Sequence, residues 1–225
     1  MAMANNRLVD RQALGVAEAQ LARVAAHGSA GHVWLAALAD GSGPHAARNL
    51  ADAVHMLCSL YGRHPGLLEM ALSLSATGPA NAWLQDASDA FERERLYIVR
   101  LSSAVGPLPS TPGAAETEAV LLAQRHAIET LGKSERNGCA LGAATAFVAD
   151  WRAVRTLLDR AAVRVGVECP AQILPDDASI ALAIDTASDG PASERALGFG
   201  GEQLLLQHRG LFDLLEARAA ARADY

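Results

Sequence analysis

Residues 111–167, TPGAAETEAVLLAQRHAIETLGKSERNGCALGAATAFVADWRAVRTLLDRAAVRVGV, read as two helices joined by a short turn, and this hairpin decides the fold class. Leu121, Ile128 and Leu131 recur at helical spacing in the first arm, as do Ala140, Phe147 and Trp151 in the second. Between them, Gly132 suits the left-handed position after a helix, and Ser134 can cap the next helix by accepting a backbone N–H. So short a connection makes the two arms antiparallel neighbours.

Upstream, Leu14, Ala17, Leu21 and Val24 step by three and four and predict a first amphipathic helix ending near Gly28. HVWLAALA is a short apolar piece. Pro44 opens a helix through Tyr61, closed by Gly62 and the His64-Pro65 step. A turn or two of helix spans 66–75, and a long helix runs to Val105, where GPLPSTPG breaks the chain. Downstream, PDDASIALAIDTASDGP holds one short helix, and a last amphipathic helix carries Leu204, Leu205, Phe212 and Leu215. The expected fold is all-α, an antiparallel bundle of about seven helices in a single domain over 1–225. Helices 44–61, 80–105, 114–131 and 135–166 form a core within 44–167, on which helices 9–26 and 201–220 pack.

Composition agrees. The chain is 51% hydrophobic but only 4% aromatic, so its core depends on alanine, the best helix former and a small one. The net charge is −6 and Lys133 is the single lysine, which argues against a general nucleic-acid binder. The arginine run Arg152, Arg155, Arg160 and Arg164, interrupted by Asp159, reads as a solvated helix face, with an acidic partner as the alternative. Cys58, Cys139 and Cys169 form no CxxC pair, which excludes a zinc knuckle or disulfide framework. The N-terminus MAMANNRLVDRQ lacks the apolar run of a signal peptide, and the uncharged stretch 137–149 is too short to span a bilayer. A soluble, cytoplasmic protein that engages neither membrane nor nucleic acid is expected.

Several motifs fail on context. AIETLGKS, residues 127–134, loosely matches a phosphate loop, but helix precedes it where a strand is needed. Gly198-Phe199-Gly200-Gly201 could offer backbone N–H groups to an anion, yet reads better as a flexible hinge before the last helix. A di-iron bundle needs Glu-x-x-His pairs, of which there are none. The nearest match, Asp52-x-x-His55, falls beyond about 140° from the Leu50, Val54 and Leu57 face and is expected to meet solvent. His126 likewise sits opposite its helix's apolar centre. No metal site and no cofactor are expected. The small residues Gly138, Gly142, Ala146, Ala149 and Ala153 form a ladder that lets another backbone approach, from the same chain or a second copy.

One residue departs from the pattern. Glu94 falls in the middle of the apolar face formed by Ala87, Phe91, Ile98, Leu101 and Val105. A buried carboxylate must be paired, hydrogen-bonded or neutral, and the expected partners are Gln124 and Arg136 on the apolar faces of the hairpin. Such a cluster either fixes packing register or lines a ligand pocket.

The phrases RNLADAVHMLCSLYGRHPG, VGPLPSTPG, QRHAIETL and SERNGCALGAATAFVADWRAVRTLLDRAA resemble those of an uncharacterised bacterial helical family, a domain of unknown function, over residues 45–167. The resemblance implies a compact helical fold and a bacterial origin, and brings no reaction or functional residue. With no catalytic constellation in view, the expected function is a non-enzymatic helical module acting through self-association, as a possible homodimer, or through a protein partner. The alternative is a small-molecule-binding or enzymatic bundle with a pocket around Glu94.

Overall fold

The computed structural model describes residues 14–223. Among them nine α-helices and no strand occur. They are α1 Val16–His27, α2 Val33–Asp40, α3 Ala46–Tyr61, α4 Leu67–Leu74, α5 Pro79–Ala104, α6 Ala114–Gly132, α7 Cys139–Val165, α8 Asp177–Ala187 and α9 Pro191–Ala223. A 3-10 turn, Ser29–Gly31, links α1 to α2. Residues 9–13 of the expected first helix lie outside the described residues. No described helix is long and apolar enough to cross a membrane.

Local chemistry sets the boundaries. Pro79 occupies the first turn of α5, where its missing N–H costs nothing. Asp176 accepts from Ser179 N at 2.9 Å and caps α8. Glu69 accepts from the Gly66 N–H at 2.7 Å at the start of α4. The hairpin turn differs in detail from expectation. Gly132 remains helical, Ser134 donates its N–H to Leu131 O, and α7 starts only at Cys139, after Gly138 at φ +90°.

The fold is the expected all-α bundle, with nine helices where about seven were expected, and within it α7 touches every other helix and the 3-10 turn. Ala143, Ala144, Ala146, Ala161 and Ala162 along it are at most 1% exposed, and these small side chains let neighbours close in from all sides. The closest neighbour is α9. A Cβ on Gly142 would lie 2.0 Å from Leu197 O, and one on Gly200 would lie 2.0 Å from Cys139 O, so the backbones meet where both lack side chains. The ladder's upper rungs therefore pack inside the chain. Gly198-Phe199-Gly200-Gly201 is no hinge: it lies within the 33-residue α9, where Gly200 lets the α7 backbone approach and Gly201 makes room for the Gln20 side chain.

Candidate functional site

Three buried polar clusters brace the bundle. In the first, Glu94 is 1% exposed on α5. It accepts from Trp151 Nε1 at 3.0 Å and from Arg155 Nη1 at 2.6 Å, both on α7. Arg155 also donates to Asp159 at 2.7 Å and to the Pro170 carbonyl, and its guanidinium lies over the Tyr97 ring. Arg155 therefore departs from the solvated face expected of it: α5 and the chain after α7 cover it, and only 4% of it is exposed.

Neither expected partner of Glu94 reaches it. Arg136 precedes α7, is exposed, and stacks over Phe199 at 5.7 Å. Its predicted burial assumed that α7 begins at 135, whereas the turn through Gly138 puts Arg136 off the helix. Gln124 is buried as expected, but it donates to Gln207 O at 3.1 Å and so ties α6 to α9.

The second cluster joins Asp150 of α7 to His208 of α9 and to Ser29 of the 3-10 turn. Asp150 accepts from Ser29 N at 2.7 Å, from the Ser29 hydroxyl, and is bonded to His208 Nδ1. Gly28 is required there, since a Cβ would lie 2.4 Å from Asp150 Oδ1. Burial opposes ionisation of Asp150, but the bond to His208, the charge of His208 and the two Ser29 donors outweigh it and hold the carboxyl below its usual range. The Tyr61 ring stands edge-on to His208. Burial, then the Asp150 charge, pushes its phenol well above the usual range, so it stays protonated. The sequence carried a signal for this cluster: Asp150 lies three residues after Phe147 and four before Val154, and His208 midway between Leu204 and Phe212, each on an apolar stripe.

The third cluster overturns the reading of Asp52 as solvent-facing. Asp52 is fully buried, bonded to Arg218 at 2.8–3.2 Å and to Arg222 at 2.6 Å. Helix α3 is covered on both sides, by α5 and by α9, so the face opposite Leu50 is an interface too. His55 is half-buried and bonded to the Gly106 carbonyl at 2.8 Å.

Beside these clusters lies a cavity of about 290 Å³ where α3, α4, α5, α6 and α7 converge. Tyr61, Phe91 and Phe147 form an aromatic floor, their ring centroids 4.8–5.2 Å apart in the pairs that touch. Arg63, Arg95, Arg125 and Lys133 supply its cations. Two of these are committed. Arg95 is neutralised by Glu69 at 2.7 Å and by Glu92, and Lys133 lies 3.7 Å from Glu129. Burial would raise the Glu69 carboxyl, but the bond to Arg95 and its charge bring it below the usual range. His64, Glu69 and Glu92 are spaced as metal ligands could be, but Arg95 already sits among them, bonded to both carboxylates and 3.4 Å from His64 Nδ1. That donor set suits a guanidinium and is filled by one.

The other two cations are uncommitted. Arg125 donates to Ser59 O and Oγ at 3.0 and 2.9 Å, and its Nε is buried with no partner among the described residues. Neither Arg125 nor Arg63 forms an ion pair among the described residues. The site thus combines an apolar floor with two guanidiniums, Arg63 exposed and Arg125 half-buried, that have no ion-pair partner among the described residues. Nothing in the sequence marked Arg125, because its uncommitted charge follows from which carboxylates fold away from it.

No curated protein and no solved structure matches the chain. A family model does, over residues 24–223, and so takes in α2 to α9 together with the end of α1. The chain belongs to this family of unknown function, DUF6975.

Proposed function

We propose that the protein binds a small organic anion in the aromatic-floored cavity between α3, α4, α5, α6 and α7. The observation that carries this reading is the pair of guanidiniums at a cavity floored by Tyr61, Phe91 and Phe147: neither Arg63 nor Arg125 forms an ion pair among the described residues. The volume is at the small end for ligand sites, about 300 Å³ and upward, so the fitting ligand is a compact ring or short aliphatic body bearing a carboxylate or phosphate. Binding, not catalysis, is the role supported. The one titratable group in the floor, Tyr61, is held neutral, and the Asp150–His208 pair is sealed behind it.

Glu94 is not part of this site; its two oxygens are engaged by buried donors. Self-association draws no support from the upper rungs of the small-residue ladder, Gly138 and Gly142, which meet α9 of the same chain. A cytoplasmic location belongs to the proposal, supported by three cysteines that form no disulfide. The test is calorimetric titration with a panel of ring-bearing and aliphatic carboxylates and phosphate esters. Binding should weaken roughly tenfold or more in Arg125→Gln, the usual scale for a charge-assisted hydrogen bond. A panel in which no member binds, or binding indifferent to Arg125→Gln, ends the proposal.

A further inference from the structure

Arg63 and Arg125 also line a second, larger cavity of about 560 Å³, bounded by α3, the 105–113 segment, α6 and the end of α9. Its wall differs in kind from the aromatic cavity. Arg218 reaches it from α9, held there by Thr111 and Thr117, whose hydroxyls donate to Pro109 O and Gly113 O and accept from Arg218. Behind Arg218 lies the Asp52 cluster, where one carboxylate serves two guanidiniums, Arg218 and Arg222. Both arginines are at least nine-tenths buried, and their other acceptors, Thr111, Thr117 and Asn49, are neutral. Among the described residues the cluster therefore buries one positive charge more than negative. The carbonyl end of α9 offsets part of this at Arg222, in the last helical turn, but Arg218 lies a turn further in. Facing the cavity from the remaining elements are His55 of α3, already bonded to the Gly106 carbonyl, and Glu118 of α6, its one carboxylate. Arg63, Arg125 and Arg218, set against Glu118 and the Asp52 that pairs with Arg218, leave the lining net positive among the described residues.

We infer that this second cavity is an oxyanion site for a phosphate-class group, whose charge balances the buried surplus at Arg218 and Arg222. Guanidiniums are the groups that phosphate recognition uses, because they offer several donors in fixed directions to a compact, multiply charged acceptor. The inference does not rest on the ligand proposed for the aromatic cavity. Each cavity has its own reporter: Glu118 lines only the oxyanion cavity, and Lys133 only the aromatic one.

Titration of the full chain with inorganic phosphate, by calorimetry and by thermal unfolding against chloride at matched ionic strength, tests this. Saturable binding and a rise in Tm beyond that in chloride are expected. Glu118→Gln should tighten binding several-fold by removing the opposing charge, and Arg125→Gln should weaken it roughly tenfold or more. Lys133→Gln should leave it unchanged. Both Glu118 and Lys133 are exposed, so these two variants decide the matter even if Arg125→Gln fails to fold. The inference is overturned by the absence of saturable binding or by indifference to Glu118→Gln. It is also overturned if Lys133→Gln weakens binding as much as Arg125→Gln, which would place phosphate in the aromatic cavity. Organic anions that bind while inorganic phosphate does not would sink this inference and leave the proposed function standing.

Discussion

Glu94→Ala is the sharpest test of how this bundle is held together. The substitution removes both acceptors of a sealed site. Trp151 Nε1–H, on a fully buried ring, loses its partner, and an orphaned buried donor costs about 1–3 kcal/mol. Arg155 loses the carboxylate at 2.6 Å, and breaking a buried pair typically costs about 3–5 kcal/mol. Arg155 keeps Asp159 at 2.7 Å, so its share falls toward the low end. The two losses overlap, and a total of about 3–5 kcal/mol is expected. For a chain of this size that lowers Tm by roughly 2–4 °C per kcal/mol. Glu92→Ala on the same helix removes a half-exposed carboxylate whose partner, Arg95, retains Glu69, and should cost no more than about 1 kcal/mol. The double variant Glu94→Leu with Arg155→Met should recover the part due to Arg155 but not the Trp151 part, leaving about 1–3 kcal/mol lost. Urea unfolding with a constant m-value reads all three. Equal midpoints for Glu94→Ala and Glu92→Ala would refute the claim that Glu94 is a buried, doubly bonded carboxylate.

Two further outcomes follow from the same geometry. Gly142→Ala and Gly200→Ala each place a Cβ 2.0 Å from a carbonyl oxygen of the facing helix, so each should destabilise by about 1–3 kcal/mol despite alanine's better propensity. Gly198→Ala, whose Cβ meets only Arg23 at an ordinary 3.6 Å, should instead be neutral or stabilising by up to about 1 kcal/mol; calorimetric Tm values separate the three, and a Gly198→Ala loss equal to the others would refute the packing argument. Asp150 ionises more readily in the native protein than in the unfolded chain. Its stabilisation is therefore complete above the ordinary Asp value of about 3.9 and is lost as pH falls through the lowered native value. Asp150→Asn should be less stable at neutral pH and lose part of the acid-limb slope, while Glu69, also lowered, keeps its own part; parallel stability–pH curves for the two proteins would exclude the effect.

The helices themselves were legible because their cause is local. Apolar spacing, alanine content and the breaks at Gly62 and at 106–113 place elements with no reference to neighbours. The burial of Glu94 followed in the same way, since a helical phase is a property of one helix. Its partner did not. Arg155 follows Trp151 by four residues, so the two share a face of α7, and that face is interior only because α5 and the chain after α7 cover it. A wheel assumes one wet side, and a helix with neighbours all round has none. The same assumption misplaced Asp52, which α9 covers, and read a hinge at 198–201, where Gly200 meets the α7 backbone and Gly201 the Gln20 side chain. The cavities depend still more on assembly. Residues from five helices build the aromatic floor and its rim, and Arg125 matters because it forms no ion pair among the described residues. Periodicity is written along one helix, whereas charge balance is a sum over whatever the packing brings together, and only the tertiary structure performs that sum.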